Sequence, residues 1–221
     1  KRDSEELLRD DDYSLTLEAF LKRKGYSRFF IQHFIIPMGE AIWSADPMEF
    51  DRFPARYFAQ FFKNHGFFNV RNQPQWLTIK GGSRQYIRPI TEPFRDRIRL
   101  NSPVLSVRRR ADGVEVNTAG GRAEYFDKVV IAAHSNQALS LLADASEAER
   151  AILGAIPYQE NHTILHTDSS ILPQKRAAWA SWNYHIPKQT LGRVAVTYNM
   201  NMLQNLDAPA TFCVSLNLQA A

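Results

Sequence analysis

The spacing of the apolar residues changes once along this chain, near Asn69, and that change limits the fold more than any other feature. Before it, Leu15, Phe20, Leu21, Phe29, Phe30, Phe34 and Ile35 supply an apolar face broken near Gly25-Tyr26-Ser27, and Phe58, Phe61 and Phe62 follow at intervals of three and four. Such spacing puts them on one side of a helix. After it, apolar and polar residues alternate, as in Gly113-Val114-Glu115-Val116-Asn117-Thr118. Alternation of this kind marks strands with one buried face. A chain that does both in succession is neither all helix nor all strand. The expected class is α+β, a helical portion joined to a mixed or antiparallel sheet.

Ser14 is placed to cap a first helix, with Glu18 in its first turn. Pro37 disfavours helix at the residue before it, so a boundary or kink is expected there. Asp46-Pro47 and Phe53-Pro54 open further helices, because proline is tolerated at the first helical position. Past Asn69, Gln75 to Ile79 reads as a strand ended by Gly81-Gly82, and a helix begins near Ser83, interrupted at Pro89 or Pro93. Strands are then expected over 98–107, 113–118, 122–126 and 128–133, with tight turns at Asp112-Gly113 and Gly120-Gly121. Short helices at 135–142 and 146–153 follow, and then mostly strand, centred on 164–167, 194–198 and 212–216. This organisation divides the chain into 1–68, 69–156 and 157–221.

Composition and motif counts exclude several functions. Twenty-seven Lys and Arg against 23 Asp and Glu leave a charge of only +4, and Arg108-Arg109-Arg110 is a dense basic cluster of only three residues. A nucleic-acid partner is therefore not expected. No run of about 20 apolar residues is present, so no integral membrane segment is expected. The single Cys213 cannot form an internal disulfide, which fits a cytoplasmic location. Its apolar neighbours, Phe212 and Val214, suggest a small buried side chain and not a reactive thiol.

Gly-x-Gly-x-x-Gly, the Walker glycine-lysine loop and Gly-x-Ser-x-Gly are all absent. His162 and His166 have the spacing of a helical metal pair, but their segment reads as strand. At about 3.3 Å per residue they would start roughly 13 Å apart, so no metal site is expected. His33, His65, His134 and His185 have no partner at ligand spacing.

The order of four segments says more than any one of them. Gly81-Gly82-Ser83-Arg84-Gln85 is followed by Asp96 to Val104, then by Gly113 to Thr118, and then by Tyr125-Phe126-Asp127-Lys128-Val129-Val130-Ile131-Ala132-Ala133. Together these resemble the flavin-dependent amine oxidase family. Ile36 to Ser44 and Ala178 to Tyr184 extend the resemblance to a bacterial branch of FAD- or NAD-binding oxidoreductases of amine-oxidase type.

The resemblance implies a dinucleotide-binding domain interrupted by a substrate domain. On that reading, 1–68 is the helical part of the substrate domain, 69–156 carries part of the FAD-binding domain, and 157–221 is substrate-domain sheet. It implies FAD as cofactor of the full-length protein, with Val104 and Ala133 near it and Gln85 on the substrate side. Many members carry a flavin-facing lysine on the strand after the helical insert. Here His162 stands nearest that position, and it too is assigned to the substrate pocket.

The implied activity is hydride transfer from an unidentified small-molecule substrate to flavin, with the catalytic residues left open. The chain reads as an internal piece of a longer enzyme without its pyrophosphate-binding fingerprint. As such it is expected to be inactive in isolation and to bind FAD weakly or not at all. Exposed sheet edges make a homodimer an expectation. The reading from another class is a non-enzymatic interaction domain docking at a membrane surface, suggested by Phe-rich helices beside Lys22, Arg23, Lys24 and Arg28.

Overall fold

The computed structural model describes residues 1–9, 11–43, 50, 52–69, 71, 74–186 and 195–218. The chain forms two compact units, Lys1–Tyr86 with Asn161–Ala221, and Ile87–Glu160. The expected Asp46-Pro47 helix start and Val194 lie outside the described residues.

The first unit opens with helices α1 (Arg2–Leu7), α2 (Leu17–Arg23) and α3 (Arg28–Phe30). Thr16, not Ser14, caps α2: its side chain accepts a hydrogen bond from the Ala19 amide at 3.2 Å. The reason lies in residues 53–55. The Leu17 amide donates to the Phe53 carbonyl at 2.7 Å and the Ala55 amide to the Leu15 carbonyl at 2.9 Å. This short extended pair holds the chain out of helix until residue 17, and it fixes the start of α2 beside that of α5 (Ala55–Asn64).

Pro37 marks a boundary of an unusual kind. A π-helical turn, Ile31–Ile35, passes directly into α4 (Ile36–Trp43). A proline ring clashes with the carbonyl four residues back in a regular α-helix, and a π-turn relieves that clash without ending the helix.

Leu17, Phe20, Leu21, Ile35, Phe50, Ala55, Phe58 and Phe62 form the buried core of these helices. Phe58 and Phe62 stack at 4.1 Å, and Trp43 lies over Phe53 and Phe61 at 4.9 and 4.7 Å. A Cβ at position 39 would fall 1.9 Å from the Phe50 ring, so glycine there is what lets the ring seat.

Helix α6 (Arg84–Thr91), with Pro89 inside it, leads through a 3-10 turn, Glu92–Arg97, into the second unit. There β1 (Val104–Arg110), β2 (Gly113–Thr118) and β3 (Glu124–Phe126) form an antiparallel meander. Gly120, with φ of 77°, makes the left-handed step in the second turn that side chains disfavour. Helices α7 (Ser135–Leu141) and α8 (Glu147–Gly154) follow, the second closed by a Ser146–Glu149 capping box.

The chain then returns to the first unit. There β4 (Thr163–His166), β5 (Trp182–Tyr184), β6 (Val196–Asn199) and β7 (Cys213–Leu216) make an antiparallel sheet in the order β4-β7-β6-β5. A short helix, α9 (Met200–Gln204), connects β6 toward β7. The class is α+β, as the periodicity indicates.

Three expected strands differ. Residues 75–79 and 128–133 form no strand, and β1 begins at Val104, not at Ile98. A strand exists only through ladder hydrogen bonds to a neighbour. Among the described residues none pairs with either segment, although both carry the apolar sequence of one. Val130 is 90% exposed and Leu77 89%.

Candidate functional site

In the first unit, Gly81 and Gly82 both adopt left-handed φ, 82° and 84°, just ahead of α6. The Gly82 amide donates to the Ile79 carbonyl at 2.9 Å, closing a tight turn. Nothing lies within 4 Å of where a Gly82 Cβ would stand, so the backbone there is open to close approach. Gln85 is exposed on the first turn of α6, and its Nε2 donates back to the Gly81 carbonyl at 3.4 Å.

His162 stands just before β4 with its ring exposed. Its main chain is fixed by Asn217, whose Oδ1 accepts from the His162 amide at 2.9 Å and whose amide donates to the His162 carbonyl at 2.8 Å. Asn217 adopts φ of 54°, which asparagine tolerates better than most residues. Gln85 and His162 are therefore each tied to a different element of the first unit.

The four-stranded sheet carries polar groups along one buried face. His185 Nε2, Thr197 Oγ1, Ser215 Oγ and His166 Nε2 form a continuous hydrogen-bonded row across the strands, at 2.9, 2.8 and 2.8 Å. Thr197 and Ser215 are buried, and His166 Nδ1 is buried without a partner among the described residues. Burial lowers the His185 pKa, which keeps that ring neutral near pH 7. Cys213 lies on the same face, fully buried, and burial pushes its thiol pKa up, with the Asp168 charge adding to the effect.

The opposite face packs on α4, where Ala41 meets Val196. There the Tyr184 hydroxyl donates to Glu40, a carboxylate only 1% exposed. Burial, and then that carboxylate, push the Tyr184 pKa upward, so the hydroxyl keeps its proton.

In the second unit, Val104 opens β1 opposite Thr118 and is 37% exposed. Ala133, also exposed, stands two residues before α7. Beyond α7, the Ala143 amide donates to the Val107 carbonyl of β1 at 2.9 Å. Beside Ala133, the Ser135 amide donates to the Tyr158 hydroxyl at 2.8 Å, and the Tyr158 ring stacks on His134 at 4.7 Å. The Ser135 hydroxyl is buried with no hydrogen-bond partner.

Sequence reasoning did not find Glu40, Tyr184 or the polar row. The signal available was parity: Thr197 and Ser215 alternate with Val196, Tyr198, Val214 and Leu216. Among the described residues, no group of three or more His, Cys, Asp or Glu is arranged to hold a metal ion, and no helix is long and apolar enough to cross a membrane.

A family model for flavin containing amine oxidoreductase matches residues 1–175. No curated protein matches the chain. Among solved structures, a crystal structure from Exiguobacterium sp. 255-15, provisionally described as a protoporphyrinogen oxidase, is similar at 19% identity with a TM-score of 0.50. The likeness covers 97% of this chain and 49% of that one, so this chain spans about half the length of that structure.

Proposed function

Because the chain belongs to the flavin-containing amine oxidoreductases, we propose that it forms part of an FAD-dependent enzyme that removes hydride from a C–H bond of a small-molecule substrate. The observation that carries this reading is the uncovered apolar surface around Val104 and Ala133. Leu105 is 61% exposed and Val130 90%. Open apolar surface of this kind fits a large, flat, mostly apolar ligand. Bound there, FAD would supply the ring that accepts two electrons as hydride.

On this reading, Val104 and Ala133 hold the cofactor through backbone and small side chains. Gln85 faces the substrate, supported by the open glycine turn that precedes it. His162 stands nearest the position where related enzymes carry a lysine, and its exposed imidazole can hold a water. Residues 1–68 and 157–221 serve as substrate-domain portions, and 69–156 contributes to the FAD-binding domain. The lone buried cysteine suits a reducing, cytoplasmic setting.

The 221 residues contain no Gly-x-Gly-x-x-Gly fingerprint. Without that anchor a pyrophosphate loses charge-assisted hydrogen bonds at a helix N-terminus, so the 221-residue chain alone binds FAD weakly. The test is a visible absorption spectrum of the full-length protein purified beside this chain. A flavin spectrum in the full-length protein that is missing from the chain alone supports the reading. A colourless full-length protein that takes up no added FAD overturns it.

A further inference from the structure

The helices of the first unit enclose space that their own side chains leave unfilled. A cavity of about 180 Å³ lies among Leu17, Phe20, Phe34, Phe58, Ala59 and Phe62. Its polar lining is limited to Lys1, Ser4 and Tyr26. The Tyr26 hydroxyl already donates to Asp3 at 2.8 Å, and Asp3 in turn lies 3.8 Å from Lys24. A water needs two to four polar partners, and this interior offers few. Dry apolar cavities of about 150 Å³ take up a benzene-sized molecule, so this one has room for a short hydrocarbon chain.

Two features bear on what would enter. The wall is not closed: Phe30 and Phe34, stacked at 5.3 Å, are 36% and 44% exposed. Partly exposed rings at an opening suit a linear molecule that threads inward from solvent. Lys1 is exposed and is among the residues that line the cavity, so a cationic residue borders its apolar wall. That arrangement complements an anionic head and an alkyl tail.

We propose that this cavity is a binding site for a medium-chain carboxylate, with the tail among the phenylalanines and the carboxylate at Lys1. The proposal stands on the helical core alone and does not depend on the flavin reading.

Octanoate is the probe, added to the protein and followed by titration calorimetry and by thermal melting. Ala59 is 2% exposed and lines the cavity, so Ala59→Leu fills it with side chain. The expected results are saturable octanoate binding that raises the melting temperature, and affinity about tenfold weaker in Ala59→Leu. Lys1→Gln is expected to weaken octanoate about threefold and to leave 1-octanol unchanged, since one exposed ion pair is worth little.

If Ala59→Leu does not fold, Phe34→Ala at the rim replaces it, and the same loss of octanoate affinity is expected. Absence of octanoate binding by the unaltered protein overturns the proposal. Binding unchanged by the cavity variants also overturns it, as does a Lys1→Gln effect equal for octanoate and octanol.

Discussion

In the helices of the first unit the large side chains lie against one another, whereas in the meander of the second they face outward. Leu17, Phe20, Leu21, Phe50, Phe58 and Phe62 are each buried, and each such burial is worth about 1.5–3 kcal/mol. The buried apolar side chains described in the second unit are Val107, Ala138 and Ala145, two of them alanines. Beside its strand ladder, two partly exposed ion pairs, Arg99 with Glu124 and Arg109 with Glu149, tie it, and Arg110 pairs with the buried Glu115. Exposed ion pairs contribute little to stability. The helices thus carry a core of their own, while the meander and its two helices leave many of their large apolar side chains exposed. This asymmetry supports reading the second unit as one part of a larger cofactor domain.

Four measurements would break or sharpen the comparison. The largest effect is expected from Phe58→Ala, about 3–5 kcal/mol in denaturant unfolding, because it removes a ring stacked on Phe62. Val107→Ala in the meander is expected to cost about 1.5 kcal/mol, roughly two methylenes. Equal losses in the two variants would end the distinction.

Gly39→Ala comes next, at about 1–3 kcal/mol, since its methyl must displace the Phe50 ring. A variant as stable as the unaltered protein would show that the ring has room to move.

The third measurement is stability against pH. His185 has a folded pKa below its unfolded value of roughly 6.5, so the unfolded chain binds more protons in the acid range. Its contribution is complete above the unfolded value and is lost as pH falls through the folded one. His185→Gln is expected to flatten that part of the profile, and an unchanged profile would assign the slope elsewhere. The smallest effect is expected from salt. Raising ionic strength should loosen hydrogen-exchange protection in 104–126 and leave 55–64 unaffected. Equal loosening of both would count against ion pairs as the tie specific to the meander.

How much of this was legible in the sequence follows from how local each cause is. β2 occupies Gly113–Thr118, the span its alternation and flanking glycines mark out, and α7 and α8 fall within a residue of expectation. Those elements are set by neighbours in sequence. Residues 128–133 have the composition of a strand, but a strand needs a partner, and that requirement is invisible in the segment itself. The Thr16 cap depends on a pairing with residues 53–55, far along the chain. The polar row was illegible for the same reason, since its four residues come from segments up to 49 positions apart. Of the candidate site, the residues near Gly81 and Ala133 came from the order of segments, whereas Glu40 and Tyr184 meet only through folding.

The row across the sheet also has a direction. Each of its two hydroxyls has one hydrogen to give, so the three bonds must all point the same way if every group is to be served. Were His185 the first donor, His166 would accept at Nε2 and carry its proton on the buried Nδ1, which has no partner among the described residues. An unmet N–H is costlier than an unmet lone pair. The row therefore runs from His166 through Ser215 and Thr197 to His185, making His166 the Nε2–H tautomer and His185 the Nδ1–H tautomer. Two imidazoles on opposite edges of the sheet thus read one another's tautomer, and nitrogen-15 shifts would show both reverse together or neither.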